Sequence, residues 1–139
     1  MKNAIPEFQG EYRFLSKFWP AQVELYGVIY PSVEHAYVAG KTMDLSLRRR
    51  IAACTTPGEA KRLGRALTLR ADWDEIKLDL MLHLVREKFK HPDLAEKLKN
   101  TGNVELIEGN HWNDTFWGVC RGKGQNHLGK ILMKVRSEL

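Results

Sequence analysis

Residues 72–90, DWDEIKLDLMLHLVREKFK, carry the most regular pattern in the chain and decide its fold class. Ile76, Leu80 and Leu84 recur at four-residue steps, and Trp73, Val85 and Phe89 widen the same stripe. That spacing predicts a long amphipathic helix serving as the pillar of a core. Further helical segments lie on both sides. Upstream, Pro57 with Gly58 and Glu59 opens a helix carrying Ala60, Leu63 and Leu67, and another is expected over 45–53. Pro31-Ser32 starts an earlier one, with Ser32 as cap and Glu34 in the first turn, expected to run to about residue 43. Residues 22–30 read as a short hairpin turning at Tyr26-Gly27. Downstream, Pro92 opens a short helix with Leu94 and Leu98 that Gly102 ends, 104–107 reads as a brief strand, and a last helix begins near Asn126. Helix dominates and strand is minor, so the expected fold is α+β: a mainly helical single domain with a small β-hairpin or sheet, not a βαβ arrangement.

A chain of 139 residues buries roughly two-thirds of its unfolded surface, enough for one core, and the expectation is one domain over 1–139. No repeat, low-complexity tract or long Pro/Gly/Ser linker divides it. Cys54 and Cys120 stand far apart without paired Cys/His spacing, so neither a disulfide framework nor a metal site is signalled. The N-terminus lacks the apolar stretch of a secretion signal, and nothing approaches the ~18 apolar residues of a membrane span. A cytoplasmic location without membrane contact is expected. The excess of 22 Lys+Arg over 17 Asp+Glu gives a net charge of +5, which favours phosphorylated ligands. Arg48 to Arg50 is the one dense basic run, and a solvated helix end accounts for it.

Three segments depart from what a scaffold needs. In 31–41, Glu34 and Lys41 are seven apart with Tyr37 between them, which sets an acid, a phenol and an amine on one helix face. Desolvation pushes a lysine toward the neutral, nucleophilic amine, and a neighbouring carboxylate holds or accepts its proton. The plainer reading is an exposed helix face, and His35 alone reads as structural. In 108–118, Trp112, Asp114 and Trp117 crowd a turn-rich stretch, where indoles can hold a flat base and Asp114 can orient a ribose hydroxyl or water; plugging a core edge is the competing account. In 121–126, a glycine-spaced basic loop with Arg121 and Lys123 runs into the last helix, where backbone amides suit an anion. It is not a Walker A loop, because Gly124 stands where Ser or Thr is needed.

Taken in order, FLSKFWP (14–20), YPSVEHAYVAGK (30–41), EAKRLGR (59–65) and NDTFWGVCRGKGQNHLGKILMKVR (113–136) resemble the NADAR, or YbiA-like, family over nearly the whole chain. The resemblance implies an N-glycosidase that needs no cofactor or metal, acting on ribosylated aminopyrimidine phosphates of riboflavin biosynthesis or removing ADP-ribose from modified guanine. It matches the family's helix glutamate and lysine to Glu34 and Lys41, its acidic loop residue to Asp114, and its tryptophans to Trp112 and Trp117. Two departures stand out. This chain has Val38-Ala-Gly-Lys41 where members commonly carry QAQK, and Lys17 where FLSN is usual.

The residues and the resemblance together give an expected site. Lys41, Glu34 and Asp114 are its catalytic candidates, and Arg13, Tyr37, Trp112, Trp117, Gly118, Lys123 and Asn126 its substrate contacts. Neutral Lys41 would attack C1 as a Schiff base former while Glu34 moves protons. Arg13, Lys123 and the amides near Asn126 would neutralise phosphate. Direct attack by water guided by Glu34 or Asp114 is the simpler route. The substrate is a phosphorylated ribosyl or ADP-ribosyl compound, with ADP-ribosylated DNA or RNA left open, and a non-catalytic ADP-ribose or nucleotide-binding module is the competing class.

Overall fold

The computed structural model describes residues 3–139, which form an α+β fold rich in helix, as the sequence predicts. The chain groups into two compact units, residues 17–88 and residues 3–16 with 89–139.

The 17–88 unit begins with strands β2 (Pro20–Leu25) and β3 (Val28–Ser32), paired antiparallel with a register shift between Pro20 and Val23. Tyr26 and Gly27 both adopt positive φ, 52° and 81°, the geometry a two-residue hairpin turn requires. Helix α1 (Val33–Ala39) follows directly, capped by the Ser32 hydroxyl, which accepts from the His35 N–H at 3.1 Å. Every residue of α1 is buried, because β2, β3, α2 (Leu45–Ala52), α3 (Pro57–Gly64) and α4 (Trp73–Lys88) all pack against it or its neighbours. Asp44 caps α2 through the Leu47 N–H, and Thr56 caps α3 through the Glu59 N–H, each at 3.1 Å.

Helix α1 stops at Ala39, short of the end near 43 that the sequence suggests. A side chain at Gly40 would come within 2.6 Å of Leu80 on α4, so the glycine lets Leu80 pack directly on the main chain here, and a larger residue would require Leu80 to shift. Beyond it the chain tightens: the Lys41 and Thr42 amides donate to Val38 and Ala39 carbonyls three residues back. Arg48 is buried and its Nε donates to the Thr42 carbonyl at 2.9 Å, a cation placed where a helix end is negative. Of the basic run, Arg48 is therefore structural rather than solvated, while Arg49 and Arg50 are exposed.

In the other unit, β1 (Ala4–Ile5) pairs parallel with β4 (Glu105–Leu106), and β5 (Gly109–Asn110) pairs parallel with β6 (Val119–Cys120). A 3-10 helix covers Gly10–Leu15. Helices α5 (Pro92–Lys99) and α6 (His127–Glu138) pack together, and α6 lies on β4. Leu94, Leu98, Leu106, Leu128, Leu132 and Val135 are buried there. No helix among the described residues is long and apolar enough to cross a membrane.

Candidate active site

The 17–88 unit gathers acid, phenol and amine around α1. Glu34, in the first turn of that helix, is 4% exposed. Its backbone N–H donates to the Lys17 carbonyl at 3.1 Å, and its Oε1 lies 3.9 Å from Lys17 Nζ. Tyr37, one turn on, presents its ring to both lysines: Lys41 Nζ is 5.3 Å and Lys17 Nζ 5.8 Å from the ring centroid, within cation–π range. Trp73 of α4 closes another side of the same ring at 5.2 Å. The exposed-face reading of this segment is thereby excluded.

Lys41 itself stands two residues past the helix, in the tightened turn, and its carbonyl accepts from the Arg70 N–H at 2.8 Å. That bond holds its backbone while its half-buried side chain reaches over Tyr37. Burial lowers the Lys41 amine below the ordinary lysine value; Glu34 opposes this, and the positive charges of Lys17, Lys61 and Lys77 reinforce it. The amine is thus biased toward the form that can attack carbon. His35, also in α1, does structural work. Its Nδ1 meets the Ser32 hydroxyl at 2.7 Å and its Nε2 meets the Cys54 carbonyl at 3.0 Å. A carbonyl only accepts, so Nε2 carries the proton and Nδ1 accepts from Ser32. Desolvation lowers the imidazole's affinity for a second proton.

In the other unit, the 110–118 loop is tied to itself. The Asn110 side chain donates to the Asp114 carbonyl at 2.9 Å and accepts from the Asp114 N–H at 3.0 Å. Asp114 Oδ1 accepts from the Phe116 and Trp117 amides at 3.2 and 2.9 Å, so this half-buried carboxylate also organises its own turn. The two tryptophans part company. Trp117 is 5% exposed and packs edge-on against Phe116 at 4.8 Å. Trp112 is 47% exposed beside His111 and lines an open cavity of about 430 Å³ with Asn110, Arg121 and Gly122. A side chain on Gly118 would strike the Glu108 carbonyl, so that glycine keeps the two segments in contact.

One expectation for this unit is corrected. The amides entering α6 are not directed at a phosphate: those of Gln125, Asn126, His127 and Leu128 donate to the carbonyls of Thr115, Gly118, Phe116 and Trp117. The positive end of α6 therefore anchors the tryptophan loop. Asn126, buried with φ 54°, accepts from the Glu108 N–H and donates to the Leu106 carbonyl, both at 3.0 Å. Lys123 is exposed in a tight turn paired with Cys120, and Arg13 is exposed with its guanidinium 3.5 Å from Gln9 Oε1. In the sequence Lys17 is visible only as a departure from a motif, because no periodicity marks a loop residue that reaches a helix, and Trp73 is visible only as core.

A family model described as the NADAR domain matches residues 6–139. The chain belongs to the NADAR family. It is 42% identical over 135 residues to N-glycosidase Npun_R5314 of Nostoc punctiforme, spanning 92% of this chain and 86% of that protein. It is 36% identical over 148 residues to N-glycosidase YbiA of Escherichia coli, spanning 100% and 91%. Riboflavin biosynthesis protein VVA0006 of Vibrio vulnificus is 41% identical over 130 residues, and this chain spans only 35% of its length. The NMR structure of Escherichia coli YbiA shares the fold, with a TM-score of 0.86 at 32% identity over 99% of this chain and 86% of that one.

Proposed function

We propose that this NADAR protein is an N-glycosidase that hydrolyses the bond between a ribosyl phosphate and an amine through a covalent imine on Lys41. The observation that carries the reading is a half-buried lysine, lowered by desolvation, set over the Tyr37 ring beside the buried Glu34 carboxylate. The relatives named N-glycosidases support the reaction class, and the relative named for riboflavin biosynthesis favours a ribosylaminopyrimidine phosphate as substrate, while ADP-ribosyl guanine rests on the motif resemblance alone.

The chemistry balances without a cofactor. The ribosylamine opens to its imine, neutral Lys41 Nζ adds to C1, and Glu34 carries a proton from that nitrogen to the departing amine. The C1–N bond of the substrate breaks and a lysine imine remains. Water then adds to C1, releasing the ribosyl phosphate as its aldehyde and restoring Lys41. In the other unit, Asp114, Trp112, Arg13 and Lys123 are the proposed substrate contacts by chemistry: a carboxylate suited to a hydroxyl, an indole suited to a flat base and two cations suited to phosphate. Gly118, Trp117 and Asn126 hold the loop that carries Trp112 and Asp114.

Chromatography of purified protein incubated with each substrate class reads turnover, and borohydride reads the intermediate. Release of free base, together with a reduced sugar adduct on Lys41 that is absent from Lys41→Ala, is the expected result. Turnover with no adduct would point to direct attack by water. Ligand affinity without turnover in the parent would make the chain a binding module.

A further inference from the structure

Lys17 has no part in the mechanism above, yet it is built into the site from two directions. Its carbonyl accepts the Glu34 N–H at 3.1 Å, which fastens the main chain at 17 to the first turn of α1. Its Nζ reaches back to within 3.9 Å of Glu34 Oε1 and stands 5.8 Å from the centre of the ring that also carries Lys41 Nζ at 5.3 Å. Two ammonium groups and one carboxylate therefore share the surroundings of a single phenol.

We infer that Lys17 is a positioning residue for Lys41: its ammonium, held between the Glu34 carboxylate and the Tyr37 ring, occupies that carboxylate and leaves the neighbouring amine free to attack. Two effects act in the same sense. Lys17 engages the carboxylate that would otherwise favour a charged Lys41, and it adds a like charge beside that amine. The other charged groups acting on Lys41 are Glu34 from α1, Lys61 from α3 and Lys77 from α4, the last paired with Asp74 at 3.2 Å. Tyr37 is the titratable phenol in contact. Burial supplies the largest push on the amine and Lys17 adds to it.

This inference rests on Lys41 being the nucleophile, and a measurement that needs no substrate separates the two claims. Acylation of Lys41 by a small amine-selective reagent, followed by peptide mass spectrometry across about pH 6 to 10, reads the fraction of neutral amine. In Lys17→Met the Lys41 profile should move upward by on the order of one pH unit, lowering its reactivity near neutrality up to about tenfold. Lys17→Arg should stay with the parent, because charge rather than shape is retained. Lys17→Gln serves as the neutral variant where methionine disturbs folding, which thermal unfolding reports. A neutral variant whose profile overlays the parent overturns the inference, as does Lys17→Arg moving as far as Lys17→Met. If labelling moves while the pH dependence of turnover does not, Lys17 acts as inferred and Lys41 is not the nucleophile.

Discussion

Glu34 is placed to distinguish proton transfer from binding. It is buried, joined to Lys17 and close enough to Lys41 to stabilise its charged form. Glu34→Gln keeps the shape and removes the proton acceptor, so kcat should fall by about 10²–10⁴ while substrate affinity stays within a few-fold. Rapid-quench kinetics with equilibrium binding check the split, and a rise in Kd with unchanged kcat would assign Glu34 to recognition. The pH dependence follows from Lys41. Attack needs the neutral amine, whose fraction grows as pH rises toward its pKa. Burial places that pKa below the ordinary lysine value, so turnover should climb from the acid side and level off sooner than for an exposed lysine. Turnover that falls between about pH 7 and 9 would argue against a lysine nucleophile.

At the scale of the element, Ser32 is the joint between β3 and α1. Its hydroxyl accepts the His35 N–H and donates to His35 Nδ1, so Ser32→Ala removes a cap and leaves a buried ring nitrogen without its donor. A loss of about 1–2 kcal/mol in urea unfolding is expected. A loss below about 0.3 kcal/mol would mean that α1 does not depend on its cap. This cap was legible from Pro31-Ser32-Val33-Glu34, as were the hairpin turn at Tyr26-Gly27 and the helix starts at Pro57 and Pro92, because caps and turns are set by neighbours in sequence. The end of α1 was not, because the chain leaves the helix through three-residue turns at Lys41 and Thr42 that no cap residue announces. Nor was the fate of the α6 amides. A glycine-spaced basic loop before a helix looks the same whether its donors face a phosphate or the carbonyls of 115–118. Trp112 and Trp117 are chemically alike, and only packing against Phe116 and His127 makes one of them a wall.

For the whole molecule, desolvation weighs most on a buried amine that the proposed chemistry does not use. Lys88, at the end of α4, is 2% exposed and desolvation pushes its amine down to about 7. Its nitrogen is not an orphan, since the Tyr30 hydroxyl is the buried side-chain atom without a partner among the described residues. A folded value below the ordinary lysine value near 10.4 means that the unfolded chain binds more protons between the two. Lys88 therefore weakens the fold most below about pH 7, and that penalty fades as pH rises toward the unfolded value. Lys88→Met keeps an unbranched side chain and removes the titration. Relative to this variant, the parent should gain stability as pH is raised from about 7 to about 9.5, by at most about 1.4 kcal/mol per unit. Urea unfolding of both proteins at the two pH values measures the change. A difference that does not vary with pH would show that Lys88 keeps its proton in the core, held by a partner strong enough to offset its desolvation.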